Sequence, residues 1–127
     1  MPIKSVHIQN FKSIRNAEIE LDQINVLIGP NGAGKSNLIG FFKLINEISS
    51  LRLQHYVKTH GRSENFLYFG SKVSPFIWGE INFSNHVEGK VANRYSIKLT
   101  PTQEGSFLLD EASDYYWDKW HPVKNLI

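Results

Sequence analysis

The sequence predicts an α/β domain in which a strand–loop–helix unit is joined to an antiparallel β-lobe in the second half of the chain. Residues 26–28 form a short, continuous apolar run, as in a strand buried on both faces. A glycine-rich stretch follows, and apolar residues then recur at helical spacing. Beyond Gly61, strand-like segments alternate with short turns, which is typical of antiparallel hairpins.

Composition limits the class of protein. A chain of 127 residues that is 41% hydrophobic is long enough for one domain with its own core, and no linker divides it, so residues 1–127 are interpreted as a single domain. The net charge of +2 comes from scattered Lys and Arg, which gives no basic stripe for nucleic acid. The absence of Cys excludes disulfides and thiolate metal sites. No signal peptide and no membrane-length apolar run is found, so we expect a cytoplasmic chain with no membrane partner.

Two strands are predicted before the glycine-rich stretch. Ile3, Val6 and Ile8 alternate with polar residues and predict a strand over residues 2–9. Residues 17–21 alternate in the same way and predict a second, half-exposed strand.

A helix is predicted after the glycine-rich stretch, from about Lys35 to the region of Ser49 and Ser50. Its apolar positions recur at helical spacing and are Leu38, Phe41, Phe42, Ile45 and Ile48. Two alternatives remain for residues 51–57, since the helix either extends through them or breaks and restarts there.

Three strands are predicted in the second half of the chain, over residues 76–83, 92–100 and 106–117. Turn-forming residues separate them at 84–89 and 101–105. Because the connections are short, successive strands are expected to pair as an antiparallel meander.

The stretch GPNGAGKSN at residues 29–37 matches the pattern G-x-x-x-x-G-K-[ST] between a predicted strand and a predicted helix. Such a loop surrounds a β-phosphate with backbone N–H groups, and the helix that follows adds its positive end. The lysine contacts the β- and γ-phosphates, and the hydroxyl binds Mg²⁺. The predicted binding residues are Gly29, Asn31, Gly32, Ala33, Gly34, Lys35, Ser36 and Asn37, with Ser36 as the metal ligand. The alternative is a glycine-rich turn that caps a helix without a ligand.

The sequence resembles a known family beyond this pattern. GPNGAGKSN is similar to the Walker A loop of ATP-binding-cassette-type ATPases that act on DNA, namely the RecF, SMC and related AAA-family ATPases. Residues 8–14, IQNFKSI, resemble the NF(K/R)S opening of these proteins. Residues 66–70, FLYFG, are similar to a stretch of bacterial predicted AAA-family ATPases. The resemblance covers nearly the whole chain and is most specific over residues 8–38.

The resemblance implies the N-terminal half of a P-loop NTPase fold, with ATP and Mg²⁺ as cofactors. It also implies that Lys12 lies close to the phosphates and that Lys12 and Ser13 join the site. The implied function is ATP binding linked to DNA maintenance or defence, with DNA contacted through the full assembly.

Hydrolysis in such an ATPase requires a carboxylate on Mg²⁺ and a second one that activates water. Residues 107–113, FLLDEAS, resemble a Walker B segment in which Asp110 is the metal ligand and Glu111 the base. The apolar run before them is only three residues, however, and a hairpin turn rather than a signature loop precedes it. We therefore expect an antiparallel strand here and no catalytic residue in the chain.

The expected function is then a phosphate-binding unit that lacks the residues for hydrolysis. Family members continue with the signature and Walker B motifs, so a missing half is expected from self-association or from a partner chain. Two alternatives are a non-hydrolysing interaction module and a self-sufficient small NTPase that uses Asp110 and Glu111.

Overall fold

The computed structural model describes residues 3–20, 32–84, 91–116 and 120–122, and every structural statement below refers to these. They form six strands and two α-helices. In chain order these are β1 (Ile3–Phe11), β2 (Ile14–Glu20), α1 (Gly32–Ser49), α2 (Leu53–Thr59), β3 (Ile77–Ser84), β4 (Val91–Pro101), β5 (Phe107–Tyr116) and β6 (Trp120–Pro122). A short 3-10 turn, Ser63–Asn65, follows α2.

The strands form one sheet in the order β2-β1-β3-β4-β5-β6, and every neighbouring pair is antiparallel. The predicted meander of β3, β4 and β5 is confirmed. The hairpin of β1 and β2 joins this meander because β1 also pairs with β3, with Val6 opposite Ile81. This pairing joins parts of the chain that are remote in sequence.

The hydrophobic core lies between one face of the sheet and α1. Phe41 of α1 is fully buried, and its ring meets the ring of Phe11 edge-on at a centroid distance of 5.9 Å. The same ring lies over Gly79 of β3, where an added Cβ would be 2.5 Å from Phe41 Cζ. Glycine at this position therefore allows the helix to approach the sheet closely.

The helical prediction needs a correction at its start. Helix α1 begins at Gly32 rather than at about Lys35, because the glycine-rich residues themselves form its first turn. Its end at Ser49 agrees with the prediction.

The helix breaks after Ser49, and α2 restarts at Leu53, which decides between the two alternatives for residues 51–57. Leu51 adopts a left-handed backbone with φ of 59°, which an α-helix does not accommodate. Glu47 stabilises the turn, since its carbonyl accepts a bond from the Arg52 N–H at 2.9 Å and its carboxylate pairs with Arg52 Nε at 2.9 Å.

The predicted strands are confirmed within a few residues at their ends. Strand β6 was not predicted; it pairs with β5 through Tyr115 and His121 and extends the sheet by one short strand. The predicted strand over residues 26–28 lies outside the described residues. Of the helices in the described ranges, neither has the length and apolar character that a membrane crossing requires.

Candidate functional site

The first turn of α1 contains the second half of the glycine-rich stretch for which the sequence predicts phosphate binding. Gly32 and Lys35 both lie in its first turn. The first N–H groups of a helix have no partner within the helix, and the helix dipole makes this end positive. Ser36 follows and is exposed, so its hydroxyl is accessible to a ligand. Of the predicted loop residues, Gly29 and Asn31 lie outside the described part of the chain.

The turn between β1 and β2 lies beside this end of α1. Asn37 Nδ2 donates a hydrogen bond to Ser13 Oγ across 24 positions of sequence. Asn37 is the residue after Ser36, so Ser13 lies close to the predicted metal ligand. The structure therefore brings the turn and the helix, which the sequence analysis joined through resemblance alone, into contact.

Lys12 occupies the same turn, with a left-handed backbone at φ of 52°. Its N–H donates to the carbonyl of Phe66 at 2.8 Å. Its Nζ lies 5.3 Å from the ring centroid of Phe66 and 5.7 Å from that of Phe11, within the range of a cation–π interaction. These contacts fix a positive charge next to Ser13.

Residues 66–69 pack onto this turn. The Tyr68 N–H donates to the carbonyl of Asn10 at 3.0 Å, and Leu67 forms an isolated bridge with Phe11. An open cleft of about 470 Å³ results, lined by Lys12, Ser13, Tyr68 and Phe69. From the sequence, residues 66–70 carry only a resemblance, and Tyr68 and Phe69 were not among the predicted site residues. An aromatic pair before a glycine, outside any predicted strand, was the available signal.

The loop that carries Phe69 is closed by hydrogen bonds to Glu64. The N–H of Ser71 donates to Glu64 Oε2 at 3.0 Å, and its hydroxyl donates to Glu64 Oε1. Gly70 has φ of 78°, and an added Cβ there would lie 2.7 Å from Glu64 Oε2. The hydrogen bonds from the Ser71 hydroxyl and N–H lower the pKa of the Glu64 carboxyl, and the charge of Lys72 contributes.

We expect Glu64→Gln to lower Tm slightly at neutral pH, because the amide cannot accept charge-assisted bonds from Ser71. The pKa of Glu64 is lowered in the folded state. The contribution of Glu64 to the free energy of unfolding is therefore fully present above its ordinary pKa of 4.5. It is lost as the pH falls through the lowered pKa of the folded state. Thermal unfolding from about pH 7 to about pH 3 should show wild type and variant converging. Glu104→Gln is the control; a Glu64→Gln difference that persists in acid would contradict the assignment.

The carboxylates of the Walker B-like segment lie elsewhere. Asp110 and Glu111 are exposed on β5, which is antiparallel to both of its neighbours and continues to Tyr116. The Tyr95 hydroxyl donates to Glu111 Oε2 at 2.7 Å. Burial raises the pKa of the Tyr95 hydroxyl, and the hydrogen bond to Glu111 and its charge raise it further. This geometry favours the antiparallel-strand interpretation of residues 107–113.

Within residues 3–20, 32–84, 91–116 and 120–122, no three His, Asp or Glu side chains gather where a metal ion could bind.

The sequence model of one protein family, described as AAA ATPase domain, matches residues 1–103. The match spans the β1–β2 turn, the glycine-rich stretch, α1 and the loop that carries Phe69. It ends before Asp110 and Glu111. No curated protein matches the chain.

Proposed function

The chain belongs to the AAA ATPase domain family, and from this premise we propose that it binds ATP with Mg²⁺ through the loop from Gly29 to Ser36. Membership gives the chain a nucleotide-binding function of the ATPase type. The single observation that supports this location of the site is the hydrogen bond between Asn37 and Ser13. It joins the two segments with the strongest sequence signals at the positive end of α1.

The residues present fit a triphosphate and its metal ion. Gly32 and Gly34 lie in the first turn of α1, where the lack of a side chain lets an anion approach the N–H groups. In this proposal Lys35 binds the β- and γ-phosphates as a point charge. Ser36 supplies one hydroxyl ligand to Mg²⁺, whose other ligands come from phosphate oxygens and water. Lys12 adds positive charge on the side of the β1–β2 turn.

We propose further that this is a RecF/SMC-like ATPase unit that hydrolyses ATP only when a partner chain or a second copy supplies the carboxylates. The position of Asp110 and Glu111 supports the need for a partner. Their strand, β5, pairs antiparallel with β4, and the Glu111 carboxylate accepts a hydrogen bond from the Tyr95 hydroxyl. Contact with DNA would then be made by the whole assembly in the cytoplasm.

Ligand-dependent stabilisation tests the proposed function. Mg-ATP binds only the folded state, so at about 100 times Kd it should raise the free energy of unfolding by about 2.7 kcal/mol. We expect a matching rise in Tm and a saturable calorimetric titration. No rise in Tm and no heat of binding would refute the proposal.

Turnover separates the two parts of the proposal. We expect the chain alone to bind Mg-ATP without releasing phosphate. Phosphate release by the chain alone that Glu111→Gln abolishes would contradict the need for a partner and favour the self-sufficient NTPase.

A further inference from the structure

Phe69 is displayed on the surface in a conformation that costs free energy. Its side chain is 76% exposed. Its backbone has φ of 53°, in the left-handed region that a bulky residue rarely adopts. Residues in such conformations cluster at ligand-binding sites, where the surrounding structure maintains them.

Contacts within the surrounding loop hold Phe69 in this exposed conformation. The Tyr68 ring meets the Phe69 ring edge-on, with centroids 4.6 Å apart. After Phe69 in the sequence, Ser74 is fully buried and its N–H donates to the carbonyl of Gly70 at 2.9 Å. Together with the bonds from Ser71 to Glu64, these contacts restrain the residues on both sides of Phe69.

The cleft beside Phe69 is linked to α1 through Ser13, one of its lining residues. Lys12 and Ser13 line the cleft, and Ser13 accepts the bond from Asn37, the residue after Ser36. Its volume of about 470 Å³ is in the range of small-molecule sites. A ligand with its phosphates at the N-terminus of α1 would therefore have its remaining part beside this cleft.

The chemistry of the lining suits a nucleoside. An exposed aromatic ring stacks on the π-face of a base, and a purine offers the larger face. The Ser13 hydroxyl can bond a ribose hydroxyl, and the Lys12 ammonium can neutralise the phosphate nearest the ribose.

We propose that this cleft binds the purine base of the nucleotide and that Phe69 is a specificity-determining residue that stacks on the base. The proposal rests on the proposed function, because it requires the triphosphate to lie at α1. It assigns Phe69 and Tyr68 to recognition of the base, whereas the loop from Gly29 to Ser36 recognises phosphates.

The test compares Mg-ATP with Mg-tripolyphosphate, which has no base, by calorimetry. Phe69→Asn removes the ring with a residue that tolerates a left-handed backbone, so the fold and Tm should be retained. Because base stacking on an aromatic side chain is strong, Phe69→Asn should weaken ATP binding about 10-fold or more and leave tripolyphosphate binding unchanged. Phe69→Trp should retain ATP affinity. Val73→Asn, at a 60% exposed apolar position of the same loop, is the matched control and should bind both ligands like wild type.

The outcomes separate this inference from the proposed function. Equal ATP affinity in wild type and Phe69→Asn, or a loss shared by tripolyphosphate, would overturn the base site and leave the phosphate site standing. Wild-type protein that binds neither ligand would overturn both. A single-stranded oligonucleotide whose binding is lost in Phe69→Asn, with ATP binding unaltered, would show that the cleft takes bases of a nucleic acid and would also overturn the inference.

Discussion

Phe41→Ala is expected to lower the free energy of unfolding by about 3–5 kcal/mol, the usual cost of truncating a buried phenylalanine. The side chain is fully buried, packs edge-on against Phe11 and covers Gly79, so its loss leaves a cavity between α1 and the sheet. Domains are usually stable by about 5–15 kcal/mol, so this is a large fraction of the total. Urea unfolding followed by far-UV circular dichroism measures the loss.

The control for this variant lies on the same helix. Ile39 is 56% exposed, so Ile39→Ala should change the free energy of unfolding by no more than about 0.5 kcal/mol. Similar losses in Ile39→Ala and Phe41→Ala would contradict the packing of α1 described above.

A double-mutant cycle tests the contact between Phe41 and Gly79 directly. An added Cβ at Gly79 would lie 2.5 Å from Phe41 Cζ and 3.2 Å from Ile97 Cγ1, so Gly79→Ala alone should cost about 1–3 kcal/mol through overpacking. In the Phe41→Ala background most of this cost should disappear, because the ring that the Cβ would meet is absent. Equal costs in both backgrounds would show that the helix does not contact the sheet at Gly79.

Local patterns in the sequence were sufficient for most elements. Strands β1 to β4 alternate apolar and polar residues over much of their length because one face packs on the core and the other faces solvent. Helix α1 shows the apolar spacing of a helix with one buried face. Its start was placed three residues late because the glycines after Gly29 carry a phosphate-loop signal, which gives no information on where helical geometry begins.

Contacts between remote segments could not be predicted in this way. The pairing of β1 with β3 and the hydrogen bond between Asn37 and Ser13 depend on how α1 and the sheet pack, which no local pattern contains. The same holds for Phe69, whose proposed role depends on its loop packing against the β1–β2 turn. The resemblance predicted Lys12 and Ser13 as site residues, whereas Tyr68 and Phe69, which line the same cleft, were not predicted because their segment forms no regular element.

The short strand β6 was missed for a different reason. Its three residues include Pro122, which a central strand excludes, and three residues give too little alternation to detect. For residues 107–113 the sequence predicted an antiparallel strand and not a Walker B segment. The reason was that the apolar run before Asp110 and Glu111 is too short for a central buried strand.

Lys35→Ala should abolish ATP binding in a calorimetric titration while leaving Tm without ligand unchanged. In the proposed site its ammonium contacts both the β- and γ-phosphates, and each hydrogen bond to a charged group contributes about 1.5–3 kcal/mol. Losing both corresponds to a decrease in affinity of about 100-fold or more. Because these contacts are to phosphate, Lys35→Ala should lose affinity for tripolyphosphate as well as for ATP. Phe69→Asn, in contrast, should lose affinity for ATP alone.

Lys43→Ala is the matched control, since it removes the same charge from the same helix. Lys43 is exposed and lies about 12 Å further along α1 at 1.5 Å per residue, with its Nζ 6.0 Å from the ring centroid of Tyr56. If non-specific attraction between a positive helix and a polyanion caused binding, the two variants would lose similar affinity, and high salt would greatly weaken ATP binding by the wild-type protein. Micromolar ATP binding by Lys35→Ala would refute the assigned loop, because the remaining N–H groups would then bind the triphosphate without the lysine that the pattern requires.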